Sequence, residues 1–212
     1  MNSRDHERNR EARMAWQTSA GSAPLAPFLL AEAAAIVGDV ARRQRATVAL
    51  VGGYALQHFG STRLTGNIDV ISSDPLHELE PAKIRMQPRL SFGGRQVRVI
   101  APGNAHVGSL VLVPVDVIVR SDDFKDLYVD ALSHTVDKCA SLPVVEPEYI
   151  AAMKLVAGRR RDDDDLAFLI TSGVIDMPKT ERIIRKHLGA YALKEFQAFA
   201  DEARWRASRS EQ

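Results

Sequence analysis

Thr47 to Ser73 reads TVALVGGYALQHFGSTRLTGNIDVISS, a glycine pair followed at a short interval by an acidic residue in an apolar run. Val48, Ala49, Leu50 and Val51 form a short apolar series that ends at Gly52-Gly53, as a buried strand does when it stops at a tight turn. There the backbone can approach a ligand closely. Tyr54 to Phe59 follow as a short helix that Gly60 ends, so its first amides and positive dipole end lie beside the glycines and suit a phosphate group. Beyond Ser61 to Gly66, Asn67-Ile68-Asp69-Val70 alternates with period two. Asn67 and Asp69 then share one strand face, and Ile68 and Val70 the other. Ile71 breaks the alternation at a buried end. Two oxygen-bearing side chains beside a phosphate-binding turn suit a hard cation such as magnesium holding a nucleoside triphosphate.

A second acidic position stands further on. Leu110 to Val119 is apolar except for Asp116 and Pro114, which predicts a strand buried on both faces. Pro114 cannot donate a ladder hydrogen bond, so it implies an edge strand, a bulge, or a strand that starts near Val115. A bulge would re-aim Asp116 rather than exclude it. A carboxylate in such surroundings must be paired, hydrogen-bonded or metal-bound to stay ionised, which leaves a metal or base role and a structural ion pair as its readings.

These residues resemble the polymerase-beta-like nucleotidyltransferases, whose signature is a Gly-Gly or Gly-Ser turn, an [Asp/Glu]-x-[Asp/Glu] pair and a third carboxylate on a later strand. The matching positions are Gly52-Gly53, Asn67-Ile68-Asp69 and Asp116. GGYALQHFG followed by RLTGNID looks most like the group that includes the AbiEii-type toxins, with Arg63 and Thr65 on that group's Arg-x-Thr. The resemblance implies an α/β (α+β) fold: a nucleotidyltransferase-type mixed sheet flanked by helices, followed by a helical C-terminal region. It implies transfer of a nucleoside monophosphate from a nucleoside triphosphate (NTP) to an acceptor hydroxyl, with Mg2+ or Mn2+ as cofactor. Gly52 and Gly53 would cradle the phosphates, with Arg63 and Thr65 also on the nucleotide. Asp69, helped by Asn67, would hold the metal, and Asp116 would complete the metal site and help activate the acceptor. A tRNA end or a protein is the acceptor implied for toxin-like relatives, with a cognate antitoxin as partner; an antibiotic acceptor also occurs in the superfamily. Asn67 stands where the family usually has aspartate and brings no charge. An enzyme tolerant of one neutral ligand, an inactivated variant and a natural pseudoenzyme that binds nucleotide without turnover all fit that change.

In the second half, Glu146-Pro147 opens a helix with Ile150, Met153 and Ala157 at core-facing spacing. Lys154 interrupts this face. It either snorkels to water or points into a cleft, and helix position alone favours snorkelling. Arg159 to Leu166, RRRDDDDL, reads by itself as a mixed charge run at a helix start, and such runs are usually solvated. The family, however, has a lysine-bearing helix followed by Arg-Asp-x-x-Asp-Leu. Lys154, Arg161, Asp162, Asp165 and Leu166 fall on that pattern, implying Lys154 as a triphosphate contact and Asp165 as a site or site-supporting residue.

The remaining sequence sets the frame. At 212 residues and 45% hydrophobic content the chain can bury a core, as one domain or a domain with a helical appendage. The single cysteine, Cys139, excludes a disulfide framework and a thiolate zinc cluster, makes a reducing cytoplasm the default, and is expected as a small buried apolar residue. No apolar stretch reaches the roughly 20 residues that span a bilayer, and no signal-peptide core is seen, so a cytoplasmic protein with no membrane partner is expected. The histidines share no metal-ligand spacing, and neither a Gly-x-Ser-x-Gly elbow nor a phosphate loop ending in Gly-Lys occurs. The expected organisation is a flexible arm over 1–23, a core over 24–145 and a helical region over 146–212. Helices are expected over 27–44, 147–157, 162–172, 178–188 and 190–206, with a short one after Asp74-Pro75. Strands are expected near 47–51, 67–72, 96–101 and 110–119. Lys83, Arg85, Arg89, Arg95 and Arg98 make a stretch without acids that could serve nucleotide phosphates or a nucleic-acid acceptor.

Overall fold

Pro27 sets the first helix, α1 (Pro27–Gln44): its missing N–H is an orphan at N1 in any case, and its fixed φ suits a helix start. At the other end Arg42 and Arg43 meet the negative dipole end, and the Arg45 N–H closes the last turn onto Ala41 and Arg42 carbonyls. The computed structural model describes residues 24–81, 92–101 and 109–210. The arm expected over 1–23 and the basic residues Lys83, Arg85 and Arg89 lie outside them.

Two compact units make up the chain, one over Ser22–Glu146 and one containing Pro147–Gln212. The first is built on a mixed seven-stranded sheet in the order β3-β4-β5-β2-β1-β7-β6. Its strands are β1 (Val48–Val51), β2 (Ile68–Ser72), β3 (Glu80–Pro81), β4 (Phe92–Ala101), β5 (Ser109–Ile118), β6 (Thr135–Cys139) and β7 (Leu142–Val145). β2 runs antiparallel to β1 and parallel to β5, while β7 runs parallel to β1. Short α2 (Gly52–His58) leaves β1 directly, and α3 (Lys125–Leu132) follows β5.

α1 packs against β2, β4, β5 and β7 with Leu30, Ala33, Ala34, Val37 and Ala41 buried at helical spacing. Each large side chain so buried contributes about 1.5–3 kcal/mol relative to exposure. Over Leu112 to Val117 the buried residues of β5 alternate: Val113, Val115 and Val117 are inside, whereas Leu112 on the other face is 48% exposed, and Ile118 at the strand end is buried again. The expectation of a strand buried on both faces is therefore corrected. A run apolar but for Pro114 and Asp116 concealed a strand buried mainly on one side, and Asp116 lies on the other, partly buried. Pro114 is neither at a bulge nor at a break. Its pairing with β4 continues in register at Gln96, and β2 joins only from Val115 onward. The proline stands where the strand has one ladder neighbour, so its missing N–H leaves no gap.

No helix follows Asp74-Pro75. Ser72 instead bonds the Asp74 backbone in a turn, and Leu76 and Leu79 are tucked into the core. The two described basic residues of the acid-free stretch, Arg95 and Arg98, are three apart on β4 and so lie on opposite sheet faces. They do not form a single basic face.

The second unit holds α4 (Pro147–Ala157), α5 (Arg160–Thr171) and α6 (Met177–Ser210), which pack on one another. α6 breaks at Gly189 (φ 85°, ψ 178°), the position that separates the two helices read from the sequence. Among the described residues no helix is long and apolar enough to cross a membrane.

Candidate functional site

Strand register assembles the first constellation. Val51 pairs with Asp69 across β1 and β2, and Asp69 pairs with Asp116 across β2 and β5. Both carboxylates therefore stand at one level of the sheet, with the glycine turn at the end of β1 beside them. On the far side of Asp116 its partner across β4 is Gly94.

The glycine pair is packed against the side chains of Asp69, Arg63 and Thr65. Gly52 has φ +70°, and a methyl there would lie 2.0 Å from Asp69 Oδ2 and 2.7 Å from its Cβ. At Gly53 a methyl would meet Arg63 Nη2 at 2.5 Å and Thr65 Oγ1 at 3.0 Å. Only glycine permits this convergence. The glycines begin α2 themselves instead of preceding it, and α2 has only seven residues.

Asn67 lies just before β2, on the side of Asp69. Its Nδ2 donates to Asp69 Oδ1 and to Asp116 Oδ2, each at 2.9 Å. Its Oδ1 accepts from Thr65 Oγ1 at 3.1 Å. Asp116 is thus hydrogen-bonded. One residue escaped the sequence reading: Gln57 Nε2 donates to the Arg63 carbonyl at 2.7 Å, fixing the loop that carries Arg63 and Thr65. A glutamine in a short helix gives no signal for a bond to a loop six residues away.

Does this donor set suit a divalent cation? Hard divalent cations take oxygen ligands, carboxylates above all. Asp69 and Asp116 would supply two anionic ligands, and their oxygens already meet at one atom, Asn67 Nδ2, 2.9 Å from each. No set of three His, Cys, Asp or Glu among the described residues is placed for a metal, so the third ligand would be the Asn67 amide oxygen, after rotation. On those terms the residues fit.

The second constellation belongs to the helical unit. Lys154 is 8% exposed and does not snorkel; its Nζ donates to Asp162 Oδ1 at 2.7 Å and Asp165 Oδ2 at 2.6 Å. Asp162 also accepts from Arg159 Nε at 2.5 Å. The charge run is therefore split by helix geometry. Asp162 and Asp165, three apart, turn inward, and Asp163 and Asp164 are exposed. Burial alone would raise the Asp162 carboxyl. The Lys154 ammonium and then Arg159 outweigh it and hold the group below its ordinary 3.8. A folded value beneath the unfolded one gives stability that is present above the unfolded value and is lost as pH falls through the folded value. The stability gap between the native chain and Asp162→Asn, measured by urea unfolding, should therefore be constant above about pH 5 and shrink below about pH 4. A gap that widens in acid would contradict this pairing.

The structure thus gathers Gly52, Gly53, Arg63, Thr65, Asn67, Asp69 and Asp116 in the sheet unit, and Lys154 with Asp165 in the helical unit. Cys139, expected buried, is only half-buried on β6. No family model and no curated protein matches the chain. Among solved structures it is similar to an antigenic nucleotidyltransferase-like protein from Paracoccidioides brasiliensis, with 16% identity, 81% of this chain and 95% of that chain covered, and a TM-score of 0.45. It is also similar to JHP933 from Helicobacter pylori, with 13% identity, 84% of this chain and 92% of that chain covered, and a TM-score of 0.43.

Proposed function

We propose that the sheet unit is the active site of a divalent-metal-dependent nucleotidyltransferase. The observation that carries this reading is the convergence of Asp69 and Asp116, in register on parallel strands, upon one atom 2.9 Å from each, with Gly52 beneath Asp69. Asp69 and Asp116, with Asn67, would hold Mg2+ or Mn2+. A bound divalent ion would supply charge neutralisation on the triphosphate. The glycines let Asp69, Arg63 and Thr65 close on the turn, and Arg63 and Thr65 would contact the phosphates from there. Asp116 accepts the proton of the acceptor hydroxyl. The acceptor oxygen then bonds the α-phosphorus as the bond to the bridging oxygen breaks and pyrophosphate leaves, with Arg63 opposite the developing charge. Lys154 and Asp165 are assigned to the helical scaffold in place of the phosphate contact that the resemblance implies, because two buried carboxylates already share the ammonium. The AbiEii-like wording of the turn and loop supports a tRNA or protein acceptor and an antitoxin partner.

The test is transfer of label from α-phosphate-labelled nucleoside triphosphates into RNA and protein, with Mg2+ or Mn2+. Transfer is expected from the native chain and a loss of at least about 100-fold in Asp69→Ala, as when one electrostatic contact to the reacting group is removed. Label unchanged in Asp69→Ala would sink the assignment. The Asn67 amide between the carboxylates favours one other reading, a module that binds nucleotide without turning it over. Nucleotide retention with no transfer in either metal would establish that one instead.

A further inference from the structure

The orientation of the Asn67 amide follows from the chemistry of its neighbours. Ionised carboxylates are acceptors only, so the NH2 faces Asp69 and Asp116; an amide oxygen there would set three acceptors against one another. Both N–H groups are used, one on each carboxylate. The other end of the amide rests on the Thr65 hydroxyl, which is 7% exposed. A hydroxyl both donates and accepts, so Thr65 can serve the amide either way round. It donates to Oδ1 in the observed orientation and would accept from Nδ2 in the reverse one.

We propose that Asn67 is a hydrogen-bonded placeholder for a cation: its amide keeps Asp69 and Asp116 assembled without metal and turns over to offer Oδ1 when a divalent ion enters, with Thr65 bonded to it in both states. The inference rests on the metal-site reading above and adds how the site behaves without metal. An aspartate at this position would bring a third negative charge and no donor, so such a site would hold together only around a cation. Asparagine gives a site that is already assembled when metal is absent and binds metal more weakly, because the ion must displace two hydrogen bonds and meets one charge fewer.

The experiment compares the full native chain with Asn67→Asp by thermal unfolding in chelator and in Mg2+, and by calorimetric titration with Mn2+. The native midpoint should rise only slightly in Mg2+, less than that of Asn67→Asp. Asn67→Asp should melt lower in chelator, regain stability in Mg2+, and bind Mn2+ about tenfold or more tightly, as one added charge in a partly buried site requires. A third measurement needs no variant: the Asn67 side-chain amide resonance of the native chain, assigned through its own Cβ and backbone connectivities, should shift on adding Mg2+. Equal chelator stability and equal Mn2+ affinity in the two proteins would overturn the placeholder and leave the metal site standing. So would an amide resonance that stays fixed at Mg2+ concentrations that saturate the site. No Mn2+ binding by either protein would remove the metal-site reading, and the placeholder with it.

Discussion

Lys154→Met is expected to lower the stability of the chain by about 3–5 kcal/mol, the usual result of breaking a buried ion pair from one side. The substitution removes a cation that bonds both Asp162 and Asp165, while their side chains stay 0% and 2% exposed. Methionine matches the lysine stem in length, so the loss is electrostatic rather than a cavity effect. The pH dependence separates this from ordinary core damage. With the ammonium gone, only Arg159 still opposes burial, and the Asp162 carboxyl lies higher than in the native chain. The deficit of the variant relative to the native chain should then be largest at neutral pH and shrink as pH falls from about 7 to about 4, where protonation removes the charge that Lys154 served. Urea unfolding of both proteins across that range measures it. An unchanged midpoint would show that the pairs contribute nothing to the fold and return Lys154 to the role of a phosphate contact.

Gly52→Ala should be the most damaging of three alanine substitutions at glycine, in the order Gly52, Gly53, Gly60. At Gly52 the added methyl would fall 2.7 Å from Asp69 Cβ. Rotating the carboxylate away cannot relieve that contact, because Cβ moves only with β2. Left-handed backbone strain adds about 1 kcal/mol. At Gly53 the closest atom is Arg63 Nη2, the far end of a flexible side chain, and Thr65 Oγ1 follows at 3.0 Å. Gly60 has φ +93° with nothing within 4 Å of its added methyl, so it carries the strain alone and serves as the control. Nucleotide affinity, read by equilibrium dialysis, should fall about tenfold or more in Gly52→Ala, an effect above 1.4 kcal/mol, and stay near native in Gly60→Ala. Equal losses at the two positions would mean that the turn matters only through its backbone shape.

The parts of this architecture that the sequence carried openly are those governed by local rules. An apolar run ending at Gly52 gave β1, period-two alternation gave β2, and helical spacing, opened by Glu146-Pro147 for α4, gave α4, α5 and the two segments of α6. The hairpin of β6 and β7 was not legible. Its turn places Ala140 and Ser141 at φ +47° and +75° without a glycine or asparagine to announce them, and β6 is almost wholly exposed. α3 escaped because only Leu127 and Ala131 are buried, a stripe too narrow to stand out over eight residues. In the candidate site, the glycines, Asn67, Asp69 and Asp116 could be named from spacing and resemblance. That Asn67 donates to both carboxylates could not, since it depends on which strand lies beside β2. The ion pairs of Lys154 depend in the same way on α5 folding back along α4.

The register between β2 and β5 also bears on how the protein comes into being. Asn67 and Asp116 are 49 residues apart in the chain, and their bond forms only when two parallel strands with that long an excursion between them have found each other. Loop closure of this kind is entropically unfavourable until the flanking contacts repay it, which places it late in folding. A nascent or partly denatured chain can hold β1, the glycine turn and β2 as neighbours and still lack the second carboxylate. Appearance of the paired site is thus a report on the completed sheet, and ligands that require both carboxylates will select the finished fold over its intermediates.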